Sequence, residues 1–230
     1  AHAMDLMGVS RKNIIALTMP GFGTDKRGHK NACELIEAIG ATFVETPIKD
    51  LSSLLFEIIG HDPNAHDVTY QNVQAWARKF VELATGSERG GMDLGTGDLS
   101  ESMLGWSTMF ADHASHYNVN ASVPKTLVSF LIKWAAKVIF REDEKLKKIL
   151  RRILKEIVSP GLLPLKKGKV AQKTEEIIGP YELHDFTGYY FVRFGFKPSK
   201  IARMALHAFA GKYEIAEIKK WLRVFLERFL

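Results

Sequence analysis

The sequence has very little cysteine, since Cys33 is the only one among its 230 residues. A single cysteine cannot form an internal disulfide, and a reducing cytoplasm is the simplest location to expect for such a chain. Residues 1–9 show no basic stretch followed by an apolar core, so we expect no secretory signal. No run approaches the roughly 18 uninterrupted apolar residues of a membrane span, so we also expect no membrane partner.

Several signatures of metal and catalytic sites are missing too. The sequence contains neither an HExxH pattern nor a cysteine pair, and zinc sites need three or four convergent ligands, usually Cys or His at tight spacing. We therefore expect no zinc site from the pairs His113/His116 and His61/His66. No serine lies in a GxSxG elbow, so a hydrolase triad has little support.

Apolar residues make up 46% of the chain and charged residues 25%, which is typical of a globular protein, but the positive charge is uneven. Residues 131–170 contain 12 Lys or Arg and 4 Asp or Glu, a net of +8, so the rest of the chain contributes −2 to the total of +6. This segment also carries an apolar stripe at helical spacing, with its bases opposite, and we expect a solvated helix face. An acidic or phosphate-bearing partner is the alternative. We expect no nucleic-acid partner, because aromatics do not alternate with the bases over residues 141–169.

Hydrophobic periodicity predicts an α/β fold with a helical C-terminal half. Apolar runs predict strands over residues 13–19, 42–48 and 91–96, and helical spacing predicts helices over residues 31–39, 51–59 and 68–84. Strands that alternate with helices of this length pair in parallel through right-handed crossovers. The second half predicts further helices, which begin after Pro124, cover residues 146–157, run from Pro198 to about residue 209, and end the chain.

The segment over residues 95–125 has the highest density of reactive side chains. Its GTG turn follows the third predicted strand, and in open α/β sheets ligands bind outside the carboxyl ends of strands. Asp98 or Ser100 could cap the helix that follows. Glu101 and Asp112 offer hard oxygen ligands of the kind that Mg²⁺ takes, and Lys125 could neutralise phosphate charge. The alternative is a capped helix with surface acids.

Longer motifs sharpen this interpretation. NIIALTMPGFGT, HDVTYQNVQAWAR, LGTGDLSE, LGWSTMFADHASHYNVNASVPKTLV, AQKTEEIIGPYELHDF and RFGFKPSKI together resemble the synthetase domain of glutamine-dependent NAD synthetases. The resemblance implies a Rossmann-like parallel sheet flanked by helices, of the ATP-pyrophosphatase type. It also implies an ATP-dependent ligase in which ATP adenylates the nicotinate carboxylate of deamido-NAD, and ammonia from a glutaminase domain displaces AMP to give NAD.

The same resemblance implies residue roles. Glu101 would bind Mg²⁺, Lys125 would hold an ATP phosphate and act in catalysis, and Asp112 would face the reactive centre of deamido-NAD. The remaining candidates are ATP-binding residues Met19, Pro20 and Thr96, deamido-NAD-binding residues Asn72, Arg78 and Trp106, and a loop over residues 171–179 that closes over the substrates. The family also implies a homo-oligomer, with the aromatic last helix as a plausible contact surface.

Departures from the family pattern point to a partial ligase domain. The 230 residues contain no SGGxDS phosphate loop and stop before an FKRS and PDGPK-like segment. We expect residues 1–230 to form the ligase domain without its first strand, phosphate loop and C-terminal tail, and without the glutaminase domain. We expect this polypeptide alone to be a weak or inactive enzyme. A non-catalytic dinucleotide-binding or assembly module is the alternative. Asp93 also replaces a usual apolar strand residue, and a buried, unpaired carboxylate is costly.

Overall fold

The computed structural model describes residues 1–111, 113–156, 158–159, 161–164 and 173–230. The described elements, in chain order, are α1 (His2–Leu6), β1 (Ile15–Thr18), α2 (Lys26–Ala38), β2 (Thr42–Glu45), α3 (Lys49–Ile59), α4 (Val68–Glu88), β3 (Leu94–Gly95), α5 (Leu99–Leu104), β4 (Tyr117–Asn118), α6 (Lys125–Lys137), α7 (Glu144–Ile153), α8 (Thr174–Ile178), α9 (Tyr181–Phe194), α10 (Pro198–Ala208) and α11 (Ile215–Phe229). They divide into a first compact unit, Ala1–Asp93 with Ser129–Gln172, and a second, Leu94–Val128 with Lys173–Leu230.

The first unit contains the predicted parallel pairing. β1 and β2 lie side by side in parallel, with Ile15 opposite Thr42 and Thr18 opposite Glu45, and α2 forms the crossover between them. Both strands are shorter than the apolar runs that predict them, because the ladder ends before Met19 and after Glu45. The α/β class with parallel strands is confirmed.

Aromatic packing forms a core between α3 and α4 in this unit. Phe56 of α3 and Tyr70 of α4 stack with ring centroids 5.3 Å apart, and Val73 completes the buried cluster. Each fully buried side chain of this size stabilises the fold by about 2 kcal/mol. Phe80, which the periodicity places on the same side of α4 as Val73, is instead 67% exposed.

The basic helix α7 packs on α2 through its apolar stripe. Leu146 and Ile149 are buried, while Arg152 pairs with Glu34 of α2 and the side chain of Lys147 pairs with Glu144. The prediction of an amphipathic helix with an apolar stripe is confirmed. Residues 157, 160 and 165–170 of the basic segment lie outside the described residues.

The charge of Asp93 is neutralised inside the first unit. Lys79 Nζ of α4 donates to Asp93 Oδ2 at 3.0 Å, and both side chains are only 8% exposed. Lys79 also pairs with Glu82. Burial alone would lower the pKa of Lys79, but its hydrogen bonds to Glu82 and Asp93 outweigh burial and raise that pKa above its ordinary value. The buried carboxylate of Asp93 is therefore neutralised by the buried ammonium group of Lys79.

The second unit has a helical core. Residues of α9, α10 and α11 form one buried cluster, which contains Leu183, Ile201, Ala202, Ala205, Ile218 and Leu222. A second cluster joins α5 to α9 and α11 through Met103, Leu104, Ile178, Tyr181 and Phe225. The sequence patterns predict the helices α10 and α11, but they do not indicate a helix at α9 or a strand at β4.

β3 and β4 pair in parallel within this unit, with Leu94 opposite Tyr117 and Gly95 opposite Asn118. Across all the described residues, helices long and apolar enough to cross a membrane are absent.

Candidate active site

The turn after β3 is organised by a capping box at the start of α5. Asp98 accepts a hydrogen bond from the backbone N–H of Glu101 at 3.0 Å, and Glu101 Oε2 accepts one from the backbone N–H of Asp98 at 3.2 Å. This reciprocal arrangement satisfies two backbone donors that a helix start leaves open. It fixes both carboxylates directly after the strand, and Asp98 is the capping residue that the sequence offers together with Ser100.

Lys125, the first residue of α6, completes a charged cluster with these carboxylates. Its Nζ lies 2.8 Å from Asp98 Oδ2 and 2.6 Å from Glu101 Oε1. The side chains of Lys125 and Glu101 are 23% exposed and that of Asp98 is 4% exposed, so the cluster is shielded but accessible. Burial alone would lower the pKa of Lys125, but the hydrogen bonds to Asp98 and Glu101 raise it above its ordinary value. Lys125 is therefore a fixed positive charge at neutral pH.

A buried aspartate from another helix holds the start of α6. Asp185 of α9 accepts hydrogen bonds from Thr126 N–H at 3.0 Å and from Thr126 Oγ1 at 2.7 Å. Its other oxygen accepts from the hydroxyl of Ser100, whose Oγ in turn accepts from Lys125 N–H at 2.8 Å. Asp185 thus acts as a helix cap supplied from outside the helix, and it sets the position of Lys125 relative to α5.

Tyr181 lines the buried side of the charged cluster. Lys125 Nζ lies 5.4 Å from the centre of its ring, a cation–π distance. Burial, together with the negative charge of Glu101 and Asp98, raises the pKa of the Tyr181 hydroxyl. That hydroxyl is buried and has no hydrogen-bond partner among the described residues, so it is a donor available for a bound molecule.

The second unit contains two further candidates, Thr96 and Trp106. Thr96 is exposed in the turn between β3 and Asp98. Trp106, which follows α5, is half-buried, and the guanidinium of Arg228 lies 5.2 Å from the centre of its ring. Gly95 leaves no room for a larger residue, because a Cβ there would overlap the side chain of Ser115. Its small size permits the pairing of β3 with β4.

The first unit contains four candidates, Met19, Pro20, Asn72 and Arg78. Three of them, Met19, Pro20 and Arg78, lie together. Arg78 Nε of α4 donates to the carbonyl of Met19 at 3.3 Å, and the loop that follows Pro20 packs against α4, where Phe22 N–H donates to Gln74 Oε1 at 3.2 Å. Asn72 is half-buried on the same helix. Asp112 lies outside the described residues, as do residues 171 and 172 of the closing loop.

The sequence patterns do not identify Ser100, Tyr181 or Asp185 as ligand-binding or catalytic residues. One signal for Asp185 is visible in retrospect: α6 begins after Val123 and Pro124, neither of which can cap a helix with its side chain. A long helix without a local cap requires an acceptor from elsewhere, and only the fold shows that it comes from α9. Tyr181 and Asp185 both lie in the GPYELHDF motif.

Comparisons with known proteins show the family of the chain. The family model described as NAD synthase matches residues 2–186. The glutamine-dependent NAD(+) synthetase of Mycobacterium leprae is 41% identical over 250 residues, a match that covers 100% of this chain and 37% of that protein. The chain therefore spans little more than a third of the length of this relative.

Solved structures show the same fold. A glutamine-dependent NAD(+) synthetase from Cytophaga hutchinsonii superposes with a TM-score of 0.65 at 18% identity, over 94% of this chain and 33% of that one. A glutamine-dependent NAD+ synthetase from Acinetobacter baumannii, solved in complex with adenosine diphosphate, superposes with a TM-score of 0.59 at 19% identity, over 100% of this chain and 39% of that one. Because the family model covers most of the sequence, the chain belongs to the NAD synthase family.

Proposed function

We propose that this chain is the ligase part of an enzyme that makes NAD from deamido-NAD. ATP adenylates the nicotinate carboxylate and releases pyrophosphate, and ammonia derived from glutamine then displaces AMP. The observation that carries the proposal is the cluster of Lys125, Asp98 and Glu101, which lies directly after a strand and is shielded but open to solvent. Family membership and the 41% identity to a glutamine-dependent NAD(+) synthetase support it.

Lys125 has the properties that phosphate binding requires. Its charge is fixed, its backbone is held by Ser100, and its ammonium group donates to two carboxylates. Oxygen atoms of a polyphosphate can replace one of these acceptors without leaving the ammonium unpaired. A positive charge aimed at the leaving pyrophosphate stabilises the charge that develops there. The hydroxyl of Tyr181, buried and protonated, can donate to the same ligand.

The donor set of the cluster fits a magnesium ion. Asp98 and Glu101 carry two formal negative charges against the single positive charge of Lys125, so the cluster retains a net negative charge, and carboxylate oxygens are the ligands that Mg²⁺ prefers. Glu101, with Asp98 beside it, would hold the ion. When bound, Mg²⁺ neutralises negative charge on phosphate oxygens.

The remaining assignments belong to the same proposal. Met19, Pro20 and Thr96 bind ATP, while Asn72, Arg78, Trp106 and Asp112 bind deamido-NAD, with Asp112 facing the reactive centre. The 230 residues form a single ligase domain that works with a glutaminase domain, in a homo-oligomer located in the cytoplasm.

Equilibrium binding of ATP in the presence of Mg²⁺ tests the proposal. We expect Lys125→Ala to weaken ATP binding by about tenfold or more, since it removes a charge-assisted contact to phosphate of about 1.5–3 kcal/mol. Lys125→Arg should keep part of the affinity because it keeps the charge. Lys137→Ala, an exposed lysine at the other end of α6, is the matched control and should bind like the parent. Equal affinities for Lys125→Ala and the parent would contradict the assignment.

A non-catalytic dinucleotide-binding or assembly module is the second candidate. The two candidates differ in one measurement, which is pyrophosphate released from ATP when deamido-NAD and Mg²⁺ are present. Release that depends on deamido-NAD supports the ligase. Binding of deamido-NAD without any release supports the module.

A further inference from the structure

Three side chains of different chemistry converge in the first unit, away from the cluster around Lys125 in the sequence. His29 and Cys33 lie four residues apart on one face of α2, and Glu45 is the last residue of β2. His29 Nε2 is 2.7 Å from Glu45 Oε2, and Cys33 Sγ is 3.7 Å from the same Nε2 atom. The three ligand atoms all lie within 4.8 Å of one another.

The local fold brings these residues together. α2 is the crossover between the parallel strands β1 and β2. Its first turns follow β1, so they lie near the carboxyl end of β2, where Glu45 is. The spacing of four residues then places His29 and Cys33 one turn apart on the same face. Thr18, at the end of β1, donates from Oγ1 to Glu45 Oε2 at 3.3 Å. Glu45 is therefore held in place by a neutral donor.

The distance between Cys33 and His29 matches a tetrahedral metal site. Bonds of about 2.3 Å to a thiolate and about 2.0 Å to an imidazole nitrogen, at a tetrahedral angle, place sulfur and nitrogen about 3.5 Å apart. The observed separation between Cys33 and His29 is 3.7 Å. The separation between His29 and Glu45 is shorter, as in a direct hydrogen bond, and a small rotation of the exposed carboxylate would open it.

We propose that His29, Cys33 and Glu45 form a binding site for Zn²⁺ or a similar borderline divalent cation. A thiolate, an imidazole and a carboxylate together favour zinc over magnesium or calcium, which prefer oxygen ligands throughout. The side chains of His29 and Glu45 are 30% and 40% exposed, so water can occupy the fourth position. Its ligand set differs from that of Asp98 and Glu101, whose ligand atoms are all oxygen.

Titration of the metal-free, reduced chain with Co²⁺ tests the site, because cobalt bound to a thiolate shows a sulfur-to-metal charge-transfer absorption. Cys33 is the only cysteine, so the band can arise from no other residue of this chain. We expect the band to appear, to saturate at one Co²⁺ per chain, and to disappear when Zn²⁺ is added. Failure of the band to appear in the parent would overturn the proposal.

Variants separate the three ligands from other metal-binding side chains. We expect Cys33→Ser to abolish the band, and His29→Gln and Glu45→Gln to weaken Zn²⁺ binding by at least about tenfold, since even partners outside the ligand set matter by that factor. The matched controls are His207→Gln and Glu57→Gln, which change an exposed imidazole and an exposed carboxylate. Zn²⁺ affinities of the ligand variants equal to those of the controls would overturn the proposal.

A thermal measurement guards against variants that fold poorly. Zn²⁺ should raise the melting temperature of the parent and of both controls, because a ligand that binds only the folded state stabilises it. It should leave the melting temperature of Cys33→Ser unchanged. An equal rise in Cys33→Ser would place the bound metal elsewhere and contradict the assignment.

Discussion

At the scale of single residues, the fold buries a lysine and an aspartate as a pair of opposite charges. Lys79 and Asp93 pair inside the first unit, and both are almost fully removed from water. Attraction between two such charges offsets much of the cost of removing them from solvent, whereas one left alone retains that whole cost. This pairing explains how the carboxylate of Asp93 can be buried.

The Lys79–Asp93 pair gives a stability prediction. Asp93→Ala should lower the free energy of unfolding by about 3 kcal/mol, since it leaves the buried ammonium with Glu82 alone. The double variant Lys79→Met with Asp93→Leu should recover most of that loss, because apolar groups of similar volume replace a buried ion pair at little cost. Denaturant unfolding measures both values, and a double variant as unstable as Asp93→Ala would contradict this account.

His184 makes stability depend on pH. It is fully buried, its Nε2 bonds to the carbonyl of Ile178 at 2.6 Å, and burial lowers its pKa from the ordinary value of 6.5. Below about pH 6.5 the unfolded chain takes up a proton that the folded chain does not. The free energy of unfolding should therefore fall as pH drops below 6.5, by up to about 1.4 kcal/mol per pH unit from this residue.

The pH dependence has a direct comparison. His184→Gln keeps a donor for the Ile178 carbonyl but cannot titrate, so its unfolding free energy should change less between pH 7 and pH 5.5. His207→Gln, at an exposed position of α10, should follow the parent. If His184→Gln shows the same slope as the parent, other groups cause the acid sensitivity.

At the scale of elements, α6 depends on α9 for its beginning. Asp185 bonds to both the backbone and the hydroxyl of Thr126, and to Ser100 of α5. Three helices of the second unit therefore meet at one carboxylate that is 8% exposed. Since Lys125 is the neighbouring residue, this connection also positions the ammonium group of the candidate active site.

Removal of that carboxylate should affect stability and ligand binding together. We expect Asp185→Ala to lower the free energy of unfolding by about 2–3 kcal/mol, because it leaves buried donors without an acceptor. ATP binding should weaken even at temperatures where the variant remains folded, since Lys125 loses its support. Asp185→Asn, which keeps an acceptor oxygen, should retain part of the unfolding free energy and part of the ATP affinity that Asp185→Ala loses. Glu227→Gln, an exposed carboxylate of α11, should match the parent in both measurements.

At the scale of the whole molecule, the chain has the family fold but spans 37% of the length of its Mycobacterium leprae relative. We predict that a polypeptide of these 230 residues, supplied with ammonia, deamido-NAD and ATP with Mg²⁺, forms NAD at less than about a tenth of the rate of that full-length relative. The physical reason is that it contains no SGGxDS sequence, whose backbone amides would cradle phosphate as glycine-rich nests do. A rate within tenfold of the relative would reject this prediction.

The fold class and most helices could be predicted from the sequence because they depend on local patterns. The local sequence is enough to predict the apolar stripe of α7, the glycine that ends α3, and the strand–helix–strand order of the first unit. β4 was missed because two residues of strand leave too short an apolar pattern to detect. Phe80 was placed wrongly because periodicity identifies a side of a helix, whereas burial depends on what packs against it.

The sequence by itself determined the family and the parallel α/β order, and it offered Glu101 and Lys125 as separate candidates, because each is encoded in residue types at fixed spacing. Only the tertiary structure decided that Asp185 caps α6, that Lys79 neutralises Asp93, and that His29 and Cys33 meet Glu45. These contacts join residues that are 12 to 59 positions apart. Distances between such residues follow from how strands pair and helices pack, and no local spacing carries that information.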